Sequence, residues 1–384
     1  MNLRSGKRLA KFGVACLIGT VTAVVAAIPS NAQPAAKTAD YIVVLDQSRG
    51  VQARAASVAD KYDSAVEHTF TTALQGFSLP LTEKQAGELS RETGVAYVVP
   101  DTPVHTNGQQ VNPPSWGLDR IDQRNLPLDG VYNYPNEAEN VTAYIVDTGI
   151  SPTHQDFGGR VQPGFDVGGG NGMSDGNGHG TFMAGVVGGA QFGVAKGVTL
   201  VPVKVLDDNG SGTTAGVVAG IDWIAANAAK PAVANVSLGG GANAALDEAV
   251  SRAIASGVSF AVAAGGSGTD AGQFSPARVP EALTVGSMGW NDCVAPFSNY
   301  GSVLDIYAPG VDITGPWIGS DTATNTLSGS VAAPHVAGGA ALYLHGNPGA
   351  TPADVAAHLA ATATQGVLCS VPPNTVNSLL YVGP

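Results

Sequence analysis

Three residues in this sequence have the type and the setting that nucleophilic acyl transfer needs. Ser330 lies in Asn325-Thr326-Leu327-Ser328-Gly329-Ser330-Val331-Ala332-Ala333-Pro334-His335-Val336-Ala337-Gly338, a small turn running into an Ala- and Gly-rich apolar stretch that continues to Leu344. The stretch reads as a buried helix with the serine at or near its N-terminus. Free backbone N–H groups and the positive end of the dipole favour negative charge there. An oxyanion made by such a serine therefore meets donors. Serine is also a common helix N-cap, and the stretch alone does not choose between the two roles. Asp147 leaves the apolar run 142–146 just before Thr148-Gly149. A carboxylate at a strand tip can orient an imidazole, or simply make a turn. His179 sits in Asp175-Gly176-Asn177-Gly178-His179-Gly180-Thr181, with glycine on each side leaving room for close approach to the ring. Each context is weak alone. Together they supply an orienting carboxylate, a base and a nucleophile in the chain order Asp, His, Ser.

Residues that act together need a frame. Short apolar runs with β-branched cores recur at 142–146, 200–205, 232–236, 258–262, 283–285 and 303–307. Small-residue helical stretches lie between several of them, at 179–188, 213–228 and 242–255. Strand–helix alternation with continuously apolar strands predicts an α/β unit whose parallel sheet is covered on both faces. Sites in such sheets form at the carboxyl ends of the strands, where Asp147 falls. Ahead of this unit, residues 40–107 read as strand, helix, two strands, helix, strand, the split-βαβ plan. Thr82 is its predicted second N-cap. The linker Asn107-Gly108-Gln109-Gln110 follows. The module fits either a prosegment or a small domain that stays attached.

The N-terminus is basic, with Arg4, Lys7, Arg8 and Lys11, then apolar over 12–28, then Pro29-Ser30-Asn31-Ala32. That is the layout of a secretory signal peptide cut after Ala32, and no later stretch is long and apolar enough to cross a bilayer. The formal net charge is −12. The signal carries four basic and no acidic residues, so the exported chain stands at −12 − 4 = −16. This excludes nucleic acid as an expected partner. Outside the signal only Cys293 and Cys369 remain; they can pair in an oxidising compartment, but their spacing leaves open whether they meet.

With these motifs in hand, the chain resembles subtilisin-like serine proteases of the proteinase K branch, over about residues 40–384. The Asp, His, Ser order is that family's order. Further matches are Trp116-Gly117-Leu118-Asp119-Arg120-Ile121, Asp207-Asp208-Asn209-Gly210-Ser211-Gly212, Asn235-Val236-Ser237-Leu238-Gly239-Gly240, Phe297-Ser298-Asn299-Tyr300-Gly301 and Pro334-His335-Val336-Ala337-Gly338. The resemblance implies a doubly wound parallel sheet preceded by a small ferredoxin-like α+β propeptide, divided as signal 1–32, inhibitory propeptide 33–108 and peptidase 109–384. It implies Asp147, His179 and Ser330 as catalytic triad. It gives Gly210, Ser211 and Gly212 and Ser237, Leu238 and Gly239 as the two edges holding an extended substrate. Pro280, Ala282 and Asp305 match positions that bind structural calcium, with no cofactor for catalysis. Implied partners are protein and peptide substrates and the chain's own propeptide as inhibitor. A monomer is expected, free of the membrane once the signal is cut.

Two departures fall on the machinery. The family has Gly-Thr-Ser-Met-Ala before the shared proline, whereas here Ser330 follows Gly329 directly and Val331 replaces Met. The family's Ala-Ala-Gly-Asn supplies an amide to the oxyanion hole, whereas Ala263-Ala264-Gly265-Gly266 puts Gly266 there. Removing that donor in a subtilisin costs about 10²–10³ in turnover; Ser267 or a water could take its place. Phe182-Met183 also replaces the usual His-Val. Two readings follow: a secreted, self-processing endopeptidase with weakened oxyanion stabilisation, or a secreted non-catalytic relative that binds peptides in the same groove. A lipase or esterase would need Gly-x-Ser-x-Gly and the order Ser, Asp, His, which the chain lacks.

Overall fold

Residues Thr142–Asp147 form a strand with five consecutive buried positions, and the large unit is layered around it. Ala143 and Ile145 belong to one apolar core and Tyr144 and Val146 to another, so the strand is covered on both faces. A computed structural model describes residues 38–46, 50–101 and 108–384. The expected signal at 1–32 and the linker residue Asn107 lie outside the described residues. No helix of the described residues is long and apolar enough to span a membrane. The described chain forms two compact units.

The first unit runs β1 (Thr38–Leu45), α1 (Val51–Tyr62), β2 (His68–Phe70), β3 (Gly76–Thr82), α2 (Glu83–Leu89) and β4 (Val95–Pro100). Its antiparallel sheet has the order β2-β3-β1-β4, the expected split-βαβ plan. Thr82 caps α2 in a reciprocal capping box with Gln85. Its core is Val43, Phe77, Leu79, Leu81 and Leu89 with Val58 of α1.

The second unit opens with a hairpin of β5 (Gly108–Val111) and β6 (Val131–Tyr134) around α3 (Trp116–Ile121). Then come β7 (Thr142–Asp147), β8 (Phe165–Asp166), α4 (His179–Gly188), β9 (Thr199–Lys204), α5 (Thr214–Asn227), β10 (Ala232–Val236) and β11 (Gly240–Gly241). Next are α6 (Ala244–Ala255), β12 (Ser259–Ala263), β13 (Phe274–Ser275), β14 (Leu283–Met288) and β15 (Ile306–Pro309). The chain ends with β16 (Ile313–Pro316), β17 (Thr324–Leu327), α7 (Ala333–Gly346), α8 (Pro352–Thr362), β18 (Thr364–Gln365) and β19 (Ser378–Leu379). Nine strands form one sheet in the order β18-β19-β15-β14-β12-β10-β7-β9-β8. From β8 to β15 every pairing is parallel.

Helices α4 and α7 supply Val186, Val187, Val336 and Ala340 to one core. Helices α5 and α6 supply Val217, Ile221, Leu246 and Val250 to the other. After β7 the chain goes to β9 on one side, then crosses to β10 on the other. The sheet's order reverses at β7, and ligands bind in the crevice outside such a point.

The strand expected at 303–307 begins three residues later. A turn intervenes, with Gly301 at φ 116° and the Leu304 N–H donating to Gly301 O at 3.2 Å.

Cys293 and Cys369 are joined in a disulfide, with Cα atoms 4.4 Å apart across a separation of 76 residues. Chain entropy assigns a loop of that size about 4 kcal/mol. A Cys293→Ser, Cys369→Ser double variant should therefore lose a large part of its stability, read as a lower urea midpoint. An unchanged midpoint would show that the bridge contributes nothing.

Candidate active site

Asp147 ends β7 with no exposed surface, and a buried carboxylate must be paired. Its partner is His179, the first residue of α4. The ring Nδ1–H donates to the carboxylate, 2.8 Å from each oxygen. The Thr148 N–H adds a bond to Asp147 Oδ1 at 2.8 Å. Desolvation pulls the imidazole pKa down. The charge and hydrogen bond of Asp147, with the charge of Asp175, outweigh it and hold the ring above the ordinary histidine value. The His179 side chain keeps 30% of its surface exposed, so the imidazole can meet a substrate.

Gly178 precedes α4 at φ 103° and, lacking a side chain, cannot cap it. Asp175 does this instead, accepting from the N–H groups of Gly178 at 2.8 Å and Thr181 at 2.9 Å. In the sequence Asp175 stands in a Gly-rich stretch with nothing local to mark this role.

Ser330 begins a 3-10 turn over Ser330–Ala332 that feeds α7, as the sequence predicts. The turn is tied on several sides. Ser237 Oγ donates to Ser330 O at 3.0 Å, and Ser287 Oγ donates to Gly329 O at 2.7 Å. The Gly329 N–H donates to Gly310 O at 2.8 Å. Behind it, buried His335 donates from Nδ1 to Val331 O at 3.0 Å. Desolvation lowers the His335 pKa to about 4, so this ring stays neutral. No hydrogen bond joins Ser330 Oγ to His179 among the described residues.

A cleft of about 600 Å³ runs past His179, lined by Gly210, Ser211 and Gly212 on one side and Ser237, Leu238 and Gly239 on the other. Both expected substrate edges thus face one space. A second cavity of about 260 Å³ shares Leu238, Gly239 and Gly240 with it and is lined also by Gly266, Ser267 and Ser330. A Cβ built at Gly266 would meet only Phe297 Cδ2, at 3.9 Å, so there is space for a side chain there. Buried Asn299 holds this wall. Its amide donates to Ala264 O at 2.9 Å and accepts from the N–H groups of Ser267 at 2.9 Å and Thr269 at 3.2 Å. A lone Asn in a short motif carried no signal of that role.

Among the described residues no three His, Cys, Asp or Glu side chains gather as a metal cluster. The set Pro280, Ala282 and Asp305 is of another kind, one carboxylate and two backbone carbonyls. Asp305 Oδ2 accepts from the Thr284 N–H at 2.8 Å and the Asp305 N–H donates to Thr284 O at 3.0 Å. This sets Asp305 against the start of β14, two residues from Ala282. Desolvation raises its pKa to about 6. Oxygen donors of this kind are the type that suits Ca²⁺.

A doubly wound parallel sheet, a carboxylate–imidazole pair at its switch point and a serine at a helix head define the class of α/β serine hydrolases. The subtilase family model matches residues 138–379, and the peptidase inhibitor I9 model matches residues 40–107. The extracellular serine proteinase of Thermus sp. (strain Rt41A) is 49% identical over 339 residues, 88% of this chain and 82% of that one. Alkaline serine exoprotease A of Vibrio alginolyticus is 46% identical over 328 residues, 83% of this chain and 61% of that one. A crystal structure of a cold adapted subtilisin-like serine proteinase aligns with TM-score 0.68 and 52% identity, covering 70% of this chain and 98% of that one. The chain belongs to the subtilase family. It is an extracellular serine proteinase carrying an I9-type propeptide ahead of its peptidase unit.

Proposed function

We propose that this chain is a self-processing endopeptidase in which Asp147, His179 and Ser330 form the catalytic triad. The observation that carries the reading is the buried Asp147 carboxylate held 2.8 Å from His179 Nδ1, which leaves Nε2 of the ring to act as base. His179 takes the proton of Ser330 as the serine attacks the scissile carbonyl, then returns it to the leaving amine. Water then cleaves the acyl-enzyme through the same base. The Asp147 carboxylate stabilises the imidazolium. The substrate lies extended between residues 210–212 and 237–239 and adds as a strand. The module at 33–108 is the inhibitor and substrate of the first turnover, and 109–384 the peptidase that acts as a monomer. Calcium, held by Pro280, Ala282 and Asp305, would brace the start of β14 and take no part in the chemistry.

Oxyanion stabilisation is the weak part. The backbone N–H of Ser330 remains as a donor, but Gly266 offers no side-chain amide. Loss of that donor costs about 10²–10³ in turnover, so slow hydrolysis is the expected behaviour. The second reading, a peptide-binding relative without turnover, draws on Gly266 and on the missing Ser330–His179 hydrogen bond.

Three measurements test these statements. Mass and N-terminal sequence of the exported chain should show cleavage near Gly108, while Ser330→Ala made in the same host stays full length. If neither is cut, the peptide-binding reading replaces the catalytic one; if both are cut, a host protease does it and peptide hydrolysis by the mature unit decides. Gly266→Asn should raise kcat by about 10²-fold or more with little change in stability, because the added side chain enters open space; an unchanged kcat would mean that another donor already fills the role. Calcium should raise the thermal midpoint of the normal chain, by up to about 2.7 kcal/mol of stabilisation at a hundredfold excess over Kd, and leave Asp305→Ala unmoved. An equal response in both would place the ion elsewhere.

A further inference from the structure

The Asp147–His179 pair is assembled from two segments, the exit of β7 and the head of α4. One side chain outside the expected triad ties them together. Asp175 accepts five hydrogen bonds. Oδ1 takes the Thr148 hydroxyl at 2.9 Å and the N–H groups of Asn177 at 3.0 Å and Gly178 at 2.8 Å. Oδ2 takes the Thr181 N–H at 2.9 Å and its hydroxyl at 2.7 Å. Thr148, bonded through its N–H to Asp147, also accepts the Gly180 N–H at 2.9 Å on its hydroxyl oxygen. A continuous path thus runs from Asp147 through Thr148 and Asp175 to both flanks of His179. On the far flank, Thr181 Oγ1 accepts the Ser151 N–H at 3.0 Å, tying α4 again to the chain after β7.

Only a carboxylate can fill this role. All five groups at Asp175 are donors, and an amide would turn an NH₂ toward two or three of them. Side-chain hydrogen bonds to an ionised group are also the stronger kind. The charged groups around His179 are Asp147 and Asp175, with Lys204 and Asp208 beyond Thr148. Lys204 Nζ donates to Thr148 O at 2.5 Å and to Asp208 Oδ1 at 3.1 Å, so that pair is largely self-neutralised.

We propose that Asp175 is the positioning residue of the catalytic pair, fixing His179 against Asp147 and adding a second negative charge behind the imidazolium formed during turnover. This rests on the triad reading, and the test separates the two. The proton on His179 Nδ1 gives a low-field ¹H resonance when the ring is protonated, whether or not Ser330 turns over. Labelling of Ser330 by a fluorophosphonate reports the triad reading independently.

Asp175→Asn, confirmed as folded, should weaken or shift that resonance upfield and move its titration to lower pH. On peptide substrate, kcat should fall 10- to 100-fold with KM within about threefold, and the acid limb of the rate profile should move to lower pH. A residue that merely capped α4 would lower the melting temperature and leave the resonance, the acid limb and kcat in place. That result in a folded variant overturns the proposal. Should Asp175→Asn fail to fold, Thr148→Val cuts the same path while keeping the Asp175 charge. It should broaden or shift the resonance and lower kcat, and an unaltered resonance and kcat there overturn the proposal equally. If Ser330 of the normal chain takes no label, the triad reading fails and the resonance alone decides the role of Asp175.

Discussion

A carboxylate without solvent contact is costly unless its charge is met, and Asp147 is fully buried at the tip of a strand buried on both faces. That requirement shapes its surroundings. The Thr148 N–H and the His179 ring meet the charge directly, and α4 must start where it does to bring the ring there. Glycine is needed at Gly178 for the approach. A Cβ there would come within 2.6 Å of the Trp317 ring, on top of the positive φ. Gly180 is as tightly placed, with Gly149 O 2.2 Å from where its Cβ would lie.

The two substrate-facing walls follow a different principle. They are glycine-rich, and a Cβ built at Gly240 or Gly241 would meet nothing within 4 Å. Asp207 shapes the edge at 210–212, accepting from the N–H groups of Asn209 and Ser211 at 2.9 Å. Ser237 ties the other edge to the serine turn, and Asn299 holds residues 264–269 of the adjoining cavity. Backbone amides facing open space suit recognition of another backbone. Rigidity is supplied by side chains that are themselves buried, the Asn299 amide and the Ser237 hydroxyl.

Much of this could be read from residue order because the signals are local. The continuous apolar runs predict β7 and β10 close to their observed limits, since a strand buried on both faces needs no alternation, and the small-residue stretch 179–188 coincides with α4. Glycines around His179 and the small residues after Ser330 marked both helix heads. Other features are not local. Asp175 and Asn299 matter through bonds to groups far along the chain or hidden in a turn, and their neighbours read as ordinary loop. The pairing of Cys293 with Cys369 depends on two loops meeting across 76 residues. The late start of β15 depends on one glycine turn that an apolar pattern does not register.

Helix α7 is buried along nearly its whole length, from Ala333 to Leu344, whereas the β16–β17 hairpin before it alternates exposed and half-buried residues along β17. A change of length just before Ser330 would therefore have only one direction in which to be accommodated. The helix is locked in register by its packing and keeps Ser330 four residues ahead of Pro334. The hairpin, more exposed along β17, would take up the difference. Length changes in this part of the chain would thus be filtered by unequal burial: they would fall on the exposed hairpin and leave the depth of the serine unaltered.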